Sequence, residues 1–217
     1  NAPAGIKVST PEADYRDSKE LIEKWHGRGR MSYAVTPRFA PTSTPEDLQA
    51  AARLLKEYPG VYMQTHLNEN VNEVAWVKEL YPERKSYLDV YDYYGLLGPR
   101  AIMAHSLHMT DEEFVRAKET GCVLSPSPAS NLFLGDGLFK FQKAKEYQVR
   151  VAMGCDMGAG NTFSMIKVME NAYKMAQLQG YSLSPFEAFY FVTLGGARAL
   201  SMDEKIGNFA VGKEADF

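Results

Sequence analysis

Histidine and cysteine are scarce in this chain. There are two cysteines, Cys122 and Cys155, and four histidines, His26, His66, His105 and His108. The cysteines lie far apart in predicted strands, which excludes a Cys-x-x-Cys metal motif and argues for buried thiols over a disulfide. That usage fits a reducing, cytoplasmic setting. No apolar run approaches the roughly 18 residues of a spanning helix, and the first residues lack a basic-then-apolar leader pattern, so a soluble protein with no membrane partner is expected. Charge of neither sign dominates: 24 Lys plus Arg face 27 Asp plus Glu, for a net charge of −3 without long runs. No nucleic-acid footprint is therefore expected. Internal repeats, low-complexity segments and linkers are absent as well. What is present is an ordinary globular composition, 45% hydrophobic over 217 residues, enough for a sizeable core.

The stretch Val61 to Asn70, VYMQTHLNEN, organises the rest. A short β-prone run ends in the polar cluster His66, Asn68, Glu69 and Asn70, ahead of the helix-like NEVAWVKELY. Loops at the C-terminal ends of parallel strands are where α/β folds carry their chemistry, because the strands fix the backbone while the loops hold polar groups. A His followed three residues later by a Glu can set a metal ligand and a proton carrier on one lip. The structural alternative is a capping turn, with Asn70 or Asn72 as the N-cap.

Strand and helix alternate five times. Residues 1 to 10 read as loop, and Thr10-Pro11-Glu12 opens a helix that Gly27 and Gly29 stop, with His26 in its last turn read as structural. Expected strands run from Met31 to about Val35, 61 to 66, Ala101 to Ala104, Cys122 to Ser125 and Val149 to Gly154. Helix starts are marked by Thr44-Pro45-Glu46-Asp47 and by the capping-box pattern Thr110 to Glu113. Further helices are expected at about 72 to 80, Leu138 to Tyr147, Met165 to Gln179 and Pro185 to Leu200, with SPSPASN as a turn. The alternation argues for a parallel sheet with right-handed crossovers. Five strands do not close a (β/α) barrel, which needs eight and usually about 250 residues. The pattern fits either an open doubly wound sheet or part of a barrel, and IGNFAVGKEADF, which reads like the start of β-structure, leans to the second.

Arg38-Phe39, His66 with Glu69, His105, the SPSPASN turn and Asp156 each follow a predicted strand, hence one face of the sheet. Two imidazoles and a carboxylate suit a zinc-type divalent ion. Taken singly, Asp156 could be a turn residue and His105 a packed one; jointly they point to a metal hydrolase site. His108 has no assigned role.

The segments TPRFAPTS, THLNENVNEVAWVKEL, AHSLHM, SNLFLG, GCDMGAG and TLGGARAL with IGNFAVGKEADF, in this order, resemble the guanine deaminase family of the amidohydrolase superfamily along essentially the whole chain. The resemblance implies a TIM-like (β/α)8 barrel of the amidohydrolase type, with strands four to eight present in residues 1–205 and the start of a small β-sandwich in 206–217. It further implies a bound zinc (iron in some members), a homodimer, and hydrolysis of guanine to xanthine and ammonia. By this resemblance His66 and Asp156 match metal ligands, and Asp156 also takes a proton from water. Glu69 matches the proton-shuttling carboxylate and His105 the residue bordering the water, while Arg38 and Phe39 hold the purine beside His66 and Glu69. The family's His-x-His ligand pair is not found in the sequence. Asn68 and Cys155 stand where Ser and Thr are more familiar, and SPSPASN lacks a Cys-Pro opening. A sister enzyme acting on an adenosine-like or triazine ring, or a catalytically silent scaffold, are the alternative readings.

Overall fold

The computed structural model describes residues 9–216. Its centre is a five-stranded, wholly parallel sheet in sequence order. The strands are β1 Ala34–Val35, β2 Tyr62–Leu67, β3 Ala101–His105, β4 Val123–Ser125 and β5 Arg150–Val151. Each strand pairs with the next one in the chain, so every connection crosses over in the same sense and all five C-terminal ends share one rim. The longest pairing, β2 with β3, sets Met63 opposite Ala101 and Leu67 opposite His105.

The helices are α1 Pro11–Trp25, α2 Pro45–Glu57, α3 Val71–Leu80, α4 Tyr87–Tyr93, α5 Asp111–Thr120, α6 Pro128–Leu134, α7 Phe141–Glu146, α8 Met165–Gln177, α9 Pro185–Val192 and α10 Leu194–Ala199. Their starts follow local chemistry. Thr44, Asn70 and Thr110 each close a reciprocal capping box, with Asp47, Glu73 and Glu113 respectively, satisfying first-turn N–H groups that a helix leaves unpaired. Asn70, not Asn72, is thus the cap of α3. Leu48, Ala51 and Leu54 of α2 and Phe114 and Ala117 of α5 fall at helical spacing and are buried with Met63, Leu67, Met103 and Leu124 of the strands in one core. His26 is structural as expected: Nδ1 accepts the Tyr33 N–H at 3.2 Å.

The alternation of strand and helix stands, with five differences in detail. The edge strands β1 and β5 are two residues each, shorter than expected, because an edge strand has a ladder on one side only. SPSPASN is not a turn throughout: Pro128 starts α6, a position where proline's missing N–H costs nothing. Helix α4 was not expected. Its signal is Ser86, whose side chain accepts the Asp89 N–H. The single helix expected from Pro185 to Leu200 breaks at Thr193, whose φ of −123° and ψ of −105° leave the helical region. Residues 206–216 are turns and coil, without a strand, tied back by bonds such as Gly207 N–H to the Asp216 carbonyl. The loop expected at residues 1–8, and Phe217, lie outside the described residues. No helix among the described residues is long and apolar enough to cross a membrane.

Candidate active site

The rim carries the residues singled out from the sequence. His66 is the penultimate residue of β2, and its Nδ1 lies 2.7 Å from the Arg38 carbonyl. A carbonyl only accepts, so Nδ1 carries the proton and Nε2 keeps its lone pair. The same carbonyl accepts the His66 backbone N–H at 3.1 Å and the Thr65 hydroxyl at 3.2 Å, which locks the loop after β1 to β2. Arg38 and Phe39 are held beside His66 in this way. The Arg38 guanidinium lies 4.6 Å over the Phe39 ring, and that ring is 5.9 Å from the His66 imidazole.

In the sheet register His66 faces Ala104, not His105, so simple strand alternation would send the two imidazoles to opposite faces. The backbone of His105 prevents this. Its φ of 67° is left-handed, the alternation ends there, and the two rings stack at 5.2 Å between centroids. Glu69 completes the group, with Oε1 3.5 Å from His105 Nε2. Side-chain donor atoms of His66, Glu69 and His105 lie within 4.8 Å of one another.

Burial shapes the acid–base character of the group. The Glu69 carboxyl is raised to about 7, first by burial and then by the nearby carboxylates of Asp136, Glu73 and Asp156, with Arg38 opposing. His105 is lowered to about 4, chiefly because burial disfavours a charged ring and then because of His66. At neutral pH the site therefore holds a neutral imidazole beside a carboxyl group able both to give and to take a proton.

Asp156 follows β5 in a left-handed conformation, φ 46°. Its charge acts on both Glu69 and His105, but it is not among the three residues whose donor atoms converge. Its loop is closed by the Gly160 N–H on the Asp156 carbonyl at 2.6 Å. Gly160 is required there, since a Cβ would stand 2.1 Å from the Cys155 carbonyl oxygen. Cys155 and Cys122 are both free thiols. His108 is a loop anchor, with Nε2 2.8 Å from the Asp136 carbonyl.

Imidazole nitrogen and carboxylate oxygen suit a zinc-type ion. His66 has the outer bond that orients a ligating ring, one nitrogen on a carbonyl and the other free. The donor set fits such a metal. Three residues of the site were not singled out from the sequence: Asn131, whose Nδ2 lies 2.9 Å from His105 Nδ1, Glu113 beneath the rim, and Asp136. Only Asn131 had a usable signal, sitting in a polar segment already placed at the rim.

A parallel α/β sheet whose strand ends gather two stacked imidazoles, a carboxyl group of raised pKa and an arginine matches the arrangement of a barrel-type hydrolase. The amidohydrolase family model matches residues 4–217, and the chain belongs to that family. Over 217 residues it is 54% identical to the guanine deaminase of Escherichia coli (strain K12), covering all of this chain and 49% of that one. A solved structure of E. coli guanine deaminase superposes with a TM-score of 0.96, covering 99% of this chain and 50% of the other at 53% identity. Guanine deaminase from C. acetobutylicum, crystallised with guanine bound in its active site, gives a TM-score of 0.88 at 32% identity over 98% and 52% of the two chains. An adenosine deaminase from Xanthomonas campestris with bound zinc gives 0.86 at 26% identity over 96% and 48%. The chain spans about half the length of these relatives.

Proposed function

We propose that the protein containing this chain hydrolyses guanine to xanthine and ammonia. The observation that carries the reading is the juxtaposition of a purine-sized donor and ring, Arg38 and Phe39, with Glu69 and His105 on one rim. Its support from outside the chain is the guanine bound in the C. acetobutylicum relative. In this reading Arg38 donates to the purine carbonyl oxygen, for which a guanidinium has fixed donor geometry, and Phe39 flanks the ring. Glu69 delivers a proton to the ring nitrogen beside the amino-bearing carbon, making that carbon electrophilic. A C–O bond forms to water, and Asp156 takes the proton the water gives up. Glu69, left as a carboxylate, takes the proton of the new C–OH group as that group becomes the carbonyl and passes it to the amino group. The C–N bond breaks, ammonia leaves, and the proton held by Asp156 returns to Glu69.

His66 and Asp156 would hold a zinc ion, which supplies an acidified water with a pKa near 7. The zinc-bound relative supports the choice of metal. The same reading makes the five strands the fourth to eighth of an eight-stranded barrel, residues 1–205, with 206–217 leading into a small β-sandwich. Relatives about twice as long as this chain support it.

The test is turnover by the full-length protein. Loss of guanine absorbance with stoichiometric ammonia release is expected. Release from another amino-heterocycle, such as an adenosine-like or triazine ring, with none from guanine would overturn the assignment.

A further inference from the structure

We propose that Asn131 is a positioning residue that fixes His105 in the tautomer with its proton on Nε2, so that the ring offers an N–H and not a lone pair to the reacting centre. The inference rests on the reading of the site as a deaminase centre.

Asn131 and His105 are both buried, at 0% and 1% exposure. An asparagine amide can be turned either way, but this one is set by a third group. Asn131 Oδ1 accepts the Ser127 backbone N–H at 3.2 Å, a role only the oxygen can fill. The NH2 end therefore points at His105 Nδ1, 2.9 Å away. An amide nitrogen has no lone pair to offer, so Nδ1 must accept. In a neutral imidazole the proton then sits on Nε2. The opposite tautomer would aim two N–H groups at each other and leave buried donors without partners. A ring protonated on both nitrogens fails the same test, since its Nδ1–H would again face the Asn131 N–H.

Asn131 is itself held at both ends of its backbone. Its N–H donates to the Ser127 carbonyl at 2.9 Å, and its carbonyl accepts the Asp136 N–H at 3.0 Å. Helix α6, beginning at Pro128, thus presents the amide rigidly from beneath the rim. His105 Nε2 faces Glu69 Oε1 at 3.5 Å.

The consequence separates the two stacked imidazoles, which otherwise look alike. His66 has its proton on Nδ1 and a lone pair on Nε2, the form a metal ligand needs. His105 has the reverse and is a hydrogen-bond donor, suited to hold an oxygen at the carbon under attack. The three converging side chains are then one nitrogen ligand, one acid and one donor, not three ligands.

Two measurements on the full-length protein test this. Side-chain ¹⁵N spectra of histidine-labelled protein distinguish the protonated from the bare nitrogen of each ring. His105 should show a bare Nδ1 and a protonated Nε2, and Asn131→Asp, nearly the same size but accepting at both oxygens, should reverse them. Guanine turnover by Asn131→Asp should show kcat reduced on the order of 10²-fold with KM, zinc content and circular dichroism little changed. Asn131→Ala, which merely frees the ring, should show a mixture of tautomers and a smaller loss, and it replaces the aspartate variant if that one does not fold. A protonated Nδ1 on His105 in the unaltered protein would overturn the proposal, as would reversed nitrogens with undiminished kcat. The spectra read the tautomer whether or not guanine is the substrate. A protein that leaves guanine untouched but shows the expected nitrogens would therefore sink the function and spare the tautomer.

Discussion

Asn68 and Glu113 form a buried pair beneath the rim, Nδ2 donating to the carboxylate at 3.0 Å. Glu113 also accepts the Thr110 N–H and the Leu88 N–H, each at 2.9 Å, while the Asn68 carbonyl accepts the N–H groups of Leu107 and His108. One carboxylate thus ties together the starts of α4 and α5 and the loop that carries Glu69. Glu113→Ala leaves two buried donors, Asn68 Nδ2 and the Leu88 N–H, and one partly buried donor, the Thr110 N–H, unpaired and is expected to cost about 3 kcal/mol. Glu113→Gln, which keeps an accepting oxygen, should cost less. Urea unfolding of both variants measures this, and an alanine variant within about 0.5 kcal/mol of the unaltered protein would contradict it.

Glu69→Gln should retain zinc and bind guanine while kcat falls by a factor on the order of 10² to 10⁴, because the amide cannot carry the proton. Metal analysis alongside kinetics checks the division of labour. Loss of zinc in this variant would make Glu69 a ligand.

Arg38→Ala should raise KM for guanine by roughly 10- to 100-fold, the worth of a charge-assisted hydrogen bond. For an amino-heterocycle lacking the carbonyl oxygen the change should be much smaller. Equal losses on both substrates would mean that Arg38 acts through the loop and not on the purine.

Away from the site, α1 and α2 meet through Glu57, which accepts the Tyr15 hydroxyl at 2.8 and 2.7 Å, Lys19 at 3.2 Å and Arg53 at 3.1 Å. The Tyr15 hydroxyl first, then the two cations, lower this carboxyl from 4.5 to about 2. A lowered pKa means that the contribution to stability is complete above the unfolded value and is lost as pH falls from about 4.5 toward 2. Unfolding midpoints taken across that window should fall more steeply in the unaltered protein than in Glu57→Gln. Parallel curves would show that the network adds nothing.

That Arg38, Phe39, His66, Glu69 and His105 share one rim was legible in the sequence because each stands at or just after the end of a β-prone run, and strand ends in a parallel sheet share a rim whatever the helices do. The register that would oppose His66 and His105, and the left-handed turn that reunites them, were not legible, since φ at a single non-glycine residue leaves no mark in composition. Glu113 read only as part of a capping box; its second duty depends on how the loop after β2 packs over α5. Asn131 was obscured by the prolines of SPSPASN, which mark a turn and a helix start equally well. The split at Thr193 follows from a local backbone excursion inside an otherwise helical pattern.

Asn68, His105, Ser106 and Asp156 all adopt positive φ, and all lie at strand ends on the rim. For residues other than glycine such backbone is held at some cost in stability, imposed by the surrounding bonds. At these four positions glycine would relax the backbone. Asn68, His105 and Ser106 are held there by buried side-chain bonds that glycine would break. A laboratory selection for heat tolerance alone should therefore drift toward glycine at Asp156 and spare the other three, and its survivors would be sturdier proteins with blunted chemistry.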